Sequence, residues 1–281
     1  MFKADMHVHT TASDGLLSPT EVIRWASKKE INAIAITDHD TVKGIEEAID
    51  SGKRYGVKVI PGVEMSCIYK ESEVHIVGLF IDHNDKKLND KFKELSESRT
   101  KRGKKIISNL REIGIDIDYD ELLKEANCDS IGKPHIARLL IKKNYAEDMQ
   151  DAFKKYLLNG KPGDVERAKI LVPEAIELIK SVNGIAIIAH PGLIKRKVYP
   201  LELLRYNPDG MEVLHSIHDK HTIERIGKIV REKNLLKSAG SDCHGNLYDG
   251  IPILGDFYLN RDEYEAILKK HLERKIENGK K

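Results

Sequence analysis

Short apolar runs that end in His, Asp or Glu recur along this chain, and that coincidence restricts the folds open to it. FKADMHVH, AIAITDH, VKVIPGVEMS, EVHIVGLFI, GIAIIAHPG, GMEVLHS and LKSAGSDCHG read as strands, with helical patterns such as HTIERIGKIVREKN between many of them. Strand–helix alternation of this kind builds an α/β fold around a mostly parallel sheet. Functional side chains in such folds collect at the carboxyl ends of the strands. Residues far apart in the sequence are therefore expected around one mouth.

Local signals place the helices. Ser18-Pro19-Thr20-Glu21 reads as a capping box with proline at the first helical position, opening a helix to about Lys29. Thr41 is expected to cap the next helix, which runs to about Tyr55. The rhythm breaks in the middle, where Asp85 to Gly163 shows only helical periodicity. LNDKFKELSESRTKRGKKIISNLREIG forms one long charged helix, and DYDELLKEA, KPHIARLLIKKN and AEDMQDAFKKYLLNG three shorter ones. The expected organisation is an α/β domain of residues 1–84 and 164–281 with an all-helical insertion, 85–163, between turn-rich edges.

Composition excludes several classes. Lys plus Arg number 47 and Asp plus Glu 45, so a formal charge of +2 offers no global field for nucleic acid, and any such contact needs a local patch. No run approaches the ~18 apolar residues of a membrane span, and MFKADMHVHT lacks an apolar signal region. Three cysteines without a CxxC pair argue against a disulfide framework and for a reducing, cytoplasmic setting. Nothing calls for an obligate protein partner.

The strand ends supply a donor set. His7 and His9, two apart on a strand, project from one face. Asp14 follows in the loop, Asp38 and His39 end the second strand, Glu64 ends the third and His75 begins the fourth. His190 ends AIIAH, and Asp242 and His244 end SAGSD. Imidazoles and carboxylates without thiolate suit Zn, Mn, Fe or Ni, and the carboxylate share makes Mn or Fe as plausible as Zn; the expected cofactor is Mn²⁺, with Fe²⁺ and Zn²⁺ as alternatives. Three carboxylates and six imidazoles exceed one ion's needs, which implies two or three metals bridged by Glu64. A lone HxH is more often two ordinary polar side chains; recurrence at strand ends carries the metal reading. Cys243 reads as a small hydrophobe on the opposite face.

The set His7-x-His9, Asp14, Asp38-His39, Glu64, His75, His190 and Asp242-x-His244 resembles the PHP (polymerase and histidinol phosphatase) superfamily. That resemblance implies a distorted (β/α)7 barrel with a trinuclear centre. One metal would take His7, His9, Glu64 and Asp242, a second Glu64, His75 and His190, and the third Asp14, His39 and His244. The insertion, through SRTKR, GKPHIAR and FKKYL, resembles that of the 3′,5′-nucleoside bisphosphate phosphatase and 5′→3′ exoribonuclease branch. There it covers the metal mouth and supplies cationic and histidine contacts to phosphate. Lys133, Asp164 and Leu214 depart from that branch's usual Arg, aromatic and Tyr.

Charge runs are usually solvated helix faces, so the basic insertion gains a role mainly through the resemblance. The expected substrate contacts are Arg99, Arg102, Lys133, His135, Arg138, Lys161, His215 and His218. Clustered metals lower the pKa of a bridging water, and the hydroxide is expected to attack phosphorus in line. His135 would protonate the leaving oxygen, and Asp38 would act at the site or orient a ligand imidazole. The expected function is a phosphoesterase for nucleoside 3′,5′-bisphosphates and short 5′-phosphorylated oligonucleotides. A histidinol or polyol phosphatase and a non-catalytic metal-binding module are the alternatives.

Overall fold

The computed structural model describes residues 1–70, 72–128, 131–158, 160–166, 170–195 and 200–279. The barrel strands are β1 (Ala4–Val8), β2 (Ala33–Ile36), β3 (Lys58–Tyr69) and β4 (Ser72–Leu79) before the insertion. A two-residue β5 (Ile170–Leu171), β6 (Ile185–Ile188), β7 (Gly210–His215) and β8 (Leu236–Gly240) follow it. Seven form the sheet β1-β2-β3-β4-β6-β7-β8, and β5 pairs β3 off this path. The ring closes where Asp242 N donates to His7 O at 2.9 Å and His9 N to Cys243 O at 3.1 Å.

Four of the six neighbouring pairs are parallel, but β4 is antiparallel to both β3 and β6. Only two residues separate β3 from β4, too few for a parallel crossover, so the chain must turn back. This reversal has a consequence for chemistry. β3 overshoots β2, whose pairing stops at Ile36↔Pro61, so Glu64 lies mid-strand rather than at the strand end. His75 pairs opposite Ser66 near the start of β4. A reversed strand brings its amino end to the mouth, so His75 reaches the carboxyl face of the barrel.

Helices α1 (Pro19–Lys28) and α2 (Ile45–Tyr55) cover one side. Ser18 caps α1 in the expected box, but Thr41 does not cap α2: Gly44 holds the N-cap position without a side-chain bond. Thr41 Oγ1 instead accepts from Lys43 N, because the chain makes a further turn before the helix starts. The long α3 (Lys86–Glu112) buries Leu88, Phe92 and Leu95 in the barrel-side core and Ile106, Ile107 and Leu110 in a second core. That second core is closed by α4 (Tyr119–Ala126), α5 (Lys133–Lys142), α6 (Met149–Ala152) and a π-helical turn, Phe153–Leu157. Among the described residues of 85–163 there is no strand, and Asn159, at one expected edge, lies outside them.

After the insertion come α7 (Val172–Ser181), α8 (Lys220–Glu232), a small hairpin of β9 (Leu247–Tyr248) with β10 (Ile251–Pro252), and α9 (Arg261–Asn278). Tyr264 and Ile267 of α9 join Ala4, Met6, Ile60 and Ile185 in the inner core and close the amino end of the barrel. The charged C-terminal stretch up to Asn278 is part of this helix. No helix among the described residues is long and apolar enough to cross a membrane.

Candidate metal centre

Loop and strand geometry bring the nine expected donors to one mouth. His7 and His9 sit on and just beyond β1, both with no exposed surface. Asp38 Oδ1 accepts from Thr10 N at 2.7 Å and Ser13 Oγ at 2.6 Å, and Oδ2 from Thr10 Oγ1 at 2.7 Å. Asp38 therefore pins the loop that carries Asp14. His190 and Asp242 follow β6 and β8 with left-handed φ of 25° and 53°, a conformation non-glycine residues hold only when their surroundings fix it.

The tightest group is His7, His9, Glu64 and Asp242. His7 Nε2 lies 3.1 Å from His9 Nε2, 3.3 Å from Glu64 Oε2 and 3.5 Å from Asp242 Oδ1. His9 Nε2 lies 3.2 Å from Glu64 Oε2 and 3.1 Å from Asp242 Oδ1. Ligands about 2.1 Å from one ion stand about 3.0–3.4 Å from one another, so these spacings fit a coordination shell. Among the described residues, Asp242 Oδ1 and His190 Nδ1 are buried without a hydrogen-bond partner. Buried polar atoms left without a hydrogen-bond partner in so crowded a cluster are what a cation would satisfy.

Glu64 extends the cluster. Its Oε1 lies 2.8 Å from both His75 Nδ1 and His190 Nε2, and its Oε2 lies 3.1 Å from His39 Nδ1. Asp14 Oδ1 lies 3.4 Å from His244 Nε2, and Asp14 Oδ2 4.0 Å from His39 Nε2. Donor atoms of His9, Asp14, His39 and His244 all fall within 4.8 Å of one another. Cys243 is buried in the apolar core, with Gly245 N donating to its sulfur, and stays out of the cluster.

The electrostatics show a site built for cations. Burial by itself would raise Glu64, Asp14 and Asp242, but the surrounding imidazoles hold all three well below the usual carboxylate range. Burial would lower His9 and His75, yet neighbouring carboxylates lift both to about 10. At His39 burial prevails and pushes the imidazole down to about 3. Without metal, the cluster holds protons in positions that cations would take.

Two residues outside the expected set support it. Glu212 Oε1 accepts from His7 Nδ1 at 2.8 Å and Oε2 from His190 N at 2.6 Å, both buried. Asp5 Oδ1 accepts from Ser241 N at 2.9 Å and His7 N at 3.3 Å, tying β1 to β8 under the site. Burial raises this carboxyl to about 6. A lone acid among the apolar residues of each strand, ADMHV and GMEVLH, whose one other polar side chain is a histidine, is the sequence signal for both.

Above the donors lies a cleft of about 250 Å³ lined by Asp14, His39, His75, Arg99, Arg102 and Lys133, with Phe153 at its side. Arg99 is 6 % exposed, ion-paired to Asp40 and 3.3 Å from Ser66 Oγ. Arg102 Nε donates to Val165 O at 2.9 Å, and Lys133 Nζ to Leu157 O.

Five expected substrate contacts sit elsewhere. His135, 1 % exposed, accepts from Gly132 N through Nδ1 at 3.0 Å; burial and Arg138 lower it to about 4. It is buried in the first turn of α5 and outside the cleft lining. Arg138 Nη2 donates to Asp14 O at 2.9 Å, so it ties the insertion to the Asp14 loop. Lys161 is exposed away from the cleft lining. His215 is fully buried beneath the cluster, its Nε2 3.5 Å from Asp242 Oδ2. His218 accepts from Gly192 N at 3.1 Å, and its Nδ1 lies 3.0 Å from Val213 O, so both ring nitrogens serve backbone. Strand-end position alone did not separate side chains facing the mouth from those one layer below it.

The PHP domain model matches residues 5–165. The chain belongs to the PHP domain family. Among its PHP relatives, the 5′-3′ exoribonuclease Rnm of Salmonella typhimurium is 35% identical over 247 residues, covering 85% of this chain and 84% of the relative. The 3′,5′-nucleoside bisphosphate phosphatase of Chromobacterium violaceum is 34% identical over 252 residues, covering 87% and 88%. A solved protein from Bifidobacterium adolescentis, assigned as a metal-dependent phosphoesterase, superposes with a TM-score of 0.87 at 26% identity, covering 95% of this chain and 96% of that one.

Proposed function

We propose that this PHP-family, metal-dependent hydrolase acts on nucleotide phosphate esters: nucleoside 3′,5′-bisphosphates and short 5′-phosphorylated oligonucleotides. One observation carries the reading. The cleft has carboxylate and imidazole donors on its floor and Arg99, Arg102 and Lys133 on its walls. Anionic donors facing cationic walls match a phosphoryl group held between bound cations and guanidinium groups. The proposed cofactor is Mn²⁺, with Fe²⁺ or Zn²⁺ as alternatives that the same donors suit, in two or three sites built on His7, His9, Asp14, His39, Glu64, His75, His190, Asp242 and His244.

Bound cations would supply Lewis acidity to the phosphoryl group and to water. The chain's own residues do the rest. Asp40 and Ser66 hold Arg99 in the cleft wall, so its guanidinium meets the phosphate without first searching for a conformation. Arg102 and Lys133 add positive charge from the insertion. Glu212 fixes the tautomer of His7 by accepting at Nδ1, leaving Nε2 as the donor toward the cluster. Phe153 offers an apolar surface beside the cations.

The test is phosphate release by Mn²⁺-loaded protein from 3′-phosphoadenosine 5′-phosphate, with histidinol phosphate alongside. Selective release from the bisphosphate is expected. Release from histidinol phosphate alone would overturn the nucleotide reading, and inactivity on both with metals bound would favour a non-catalytic module.

A further inference from the structure

A second hollow adjoins the cleft. It is a groove of about 400 Å³ between the segment Asp40–Lys43 and the first half of α3. The two share a wall: His39 lines the cleft and Asp40 the groove, while Ser96 lines the groove and Arg99, one turn further along α3, the cleft. At that point the partition is the Asp40–Arg99 ion pair.

Its lining suits nucleotides. Val42 and Phe92 give an apolar floor, Ser96 a hydroxyl and Asn89 an amide, and the exposed Lys43 and Lys93 stand at the rim with Glu97. Lys93 has no ion pair among the described residues. Lysines placed over an apolar, partly aromatic floor are what proteins use to track single strands without reading their sequence. Lys93 and Arg99 are six residues apart on one helix, about 9 Å along its axis.

We infer that this groove receives the part of an oligoribonucleotide beyond the scissile phosphate, an inference that rests on the nucleotide reading above. Chemistry supports the division. In a 3′,5′-bisphosphate, water attacks the 3′ phosphorus, the P–O3′ bond breaks, and O3′ leaves with the electron pair and takes a proton. In a 5′-phosphorylated oligonucleotide the same step releases a nucleoside 5′-monophosphate and leaves a strand that again begins with a 5′-phosphate. The two substrates differ only in what lies past that phosphorus. The cleft is small, so the extra nucleotides need a neighbouring hollow, and the groove is larger and shares its wall.

The test is the Lys43→Ala/Lys93→Ala variant of the full Mn²⁺-loaded chain. Hydrolysis of 3′-phosphoadenosine 5′-phosphate and of a 5′-phosphorylated pentaribonucleotide is followed over a range of salt. The pentanucleotide KM should rise about tenfold, and the salt dependence of its kcat/KM should flatten by about 1.4 units of log–log slope, near 0.7 for each of the two lost phosphate contacts. The constants for the bisphosphate should change less than about twofold, since the cleft itself is untouched. Equal losses on both substrates, or none on the pentanucleotide, would overturn the inference. A parent protein that cleaves the bisphosphate but not the pentanucleotide would overturn it while leaving the phosphatase reading intact. A parent protein active on neither would end both.

Discussion

Replacing Glu212 by glutamine tests whether this buried carboxylate builds the metal centre or merely fills space. Its two oxygens accept from His7 Nδ1 at 2.8 Å and His190 N at 2.6 Å, and neither its side chain nor that of His7 is exposed. A glutamine has the same shape but one acceptor oxygen, so its amide group must face one of the two N–H donors. That leaves a buried donor unmade, at about 1–3 kcal/mol. The lost charge also weakens the hold on the His7 tautomer whose Nε2 faces Glu64 and Asp242. Removing such a supporting carboxylate typically costs 10–100-fold in metal affinity, about 1.4–2.7 kcal/mol at 1.36 kcal/mol per decade. The assay is chelator-competition titration of metal-free Glu212→Gln with Mn²⁺, with circular dichroism to confirm the fold. An affinity within twofold of the parent, in folded protein, would refute the reasoning.

Four further outcomes follow from the same contacts. His9→Ala should abolish turnover and metal retention together, because His9 Nε2 lies within 3.2 Å of three other donors; full activity in metal-analysed protein would sink the metal reading. Asp40→Asn strands the Arg99 charge at 6 % exposure and should cost about 3–5 kcal/mol in urea unfolding, with a smaller loss meaning that Arg99 finds water or another partner. Burial lowers His135 from 6.5 to about 4, so the folded chain keeps it neutral while the unfolded chain protonates it. That contribution is complete above pH 6.5 and lost as pH falls toward 4, up to about 3 kcal/mol (2.5 decades at 1.36), and His135→Gln should flatten that part of the stability–pH curve. Adding Mn²⁺ to 100 times its Kd should stabilise the metal-free chain by about 2.7 kcal/mol in thermal unfolding, and no shift would mean that the cluster does not bind it.

The fold was legible where local signals and global architecture agree. The Ser18 box opens α1 because Pro19 and Glu21 satisfy the same helix start from both sides. The run of helices from α3 to α6 was legible because charged helical periodicity cannot alternate as a strand. What escaped was the direction of β4. EVHIVGLFI has the same apolar character whichever way it runs, and the decisive fact is the short link between Tyr69 and Ser72. Once that link is read as a hairpin, the antiparallel pairs and the placing of Glu64 and His75 follow.

The site divides along a similar line. The donors could be found because metal ligation is a property of residue type and strand-end position, and the barrel converts that position into proximity. Partnership is different, since it depends on which side chains lie across a gap, and no spacing records that. Arg99 and Arg102 looked equivalent on one helix, yet Arg99 pairs with Asp40 under the cleft wall while Arg102 reaches Val165 O. His215 and His218 looked like mouth residues because β7 ends there, yet the turn after it folds them beside His190 and Glu212, where they brace the ligand loops. Glu212 was hidden for the opposite reason: it lies inside an apolar strand, where a carboxylate must have a partner, and His7, 205 residues away, is that partner. A buried acid in a strand that ends at a metal mouth is therefore evidence in its own right. It implies a donor across the barrel, and here the donor is a histidine of the cluster.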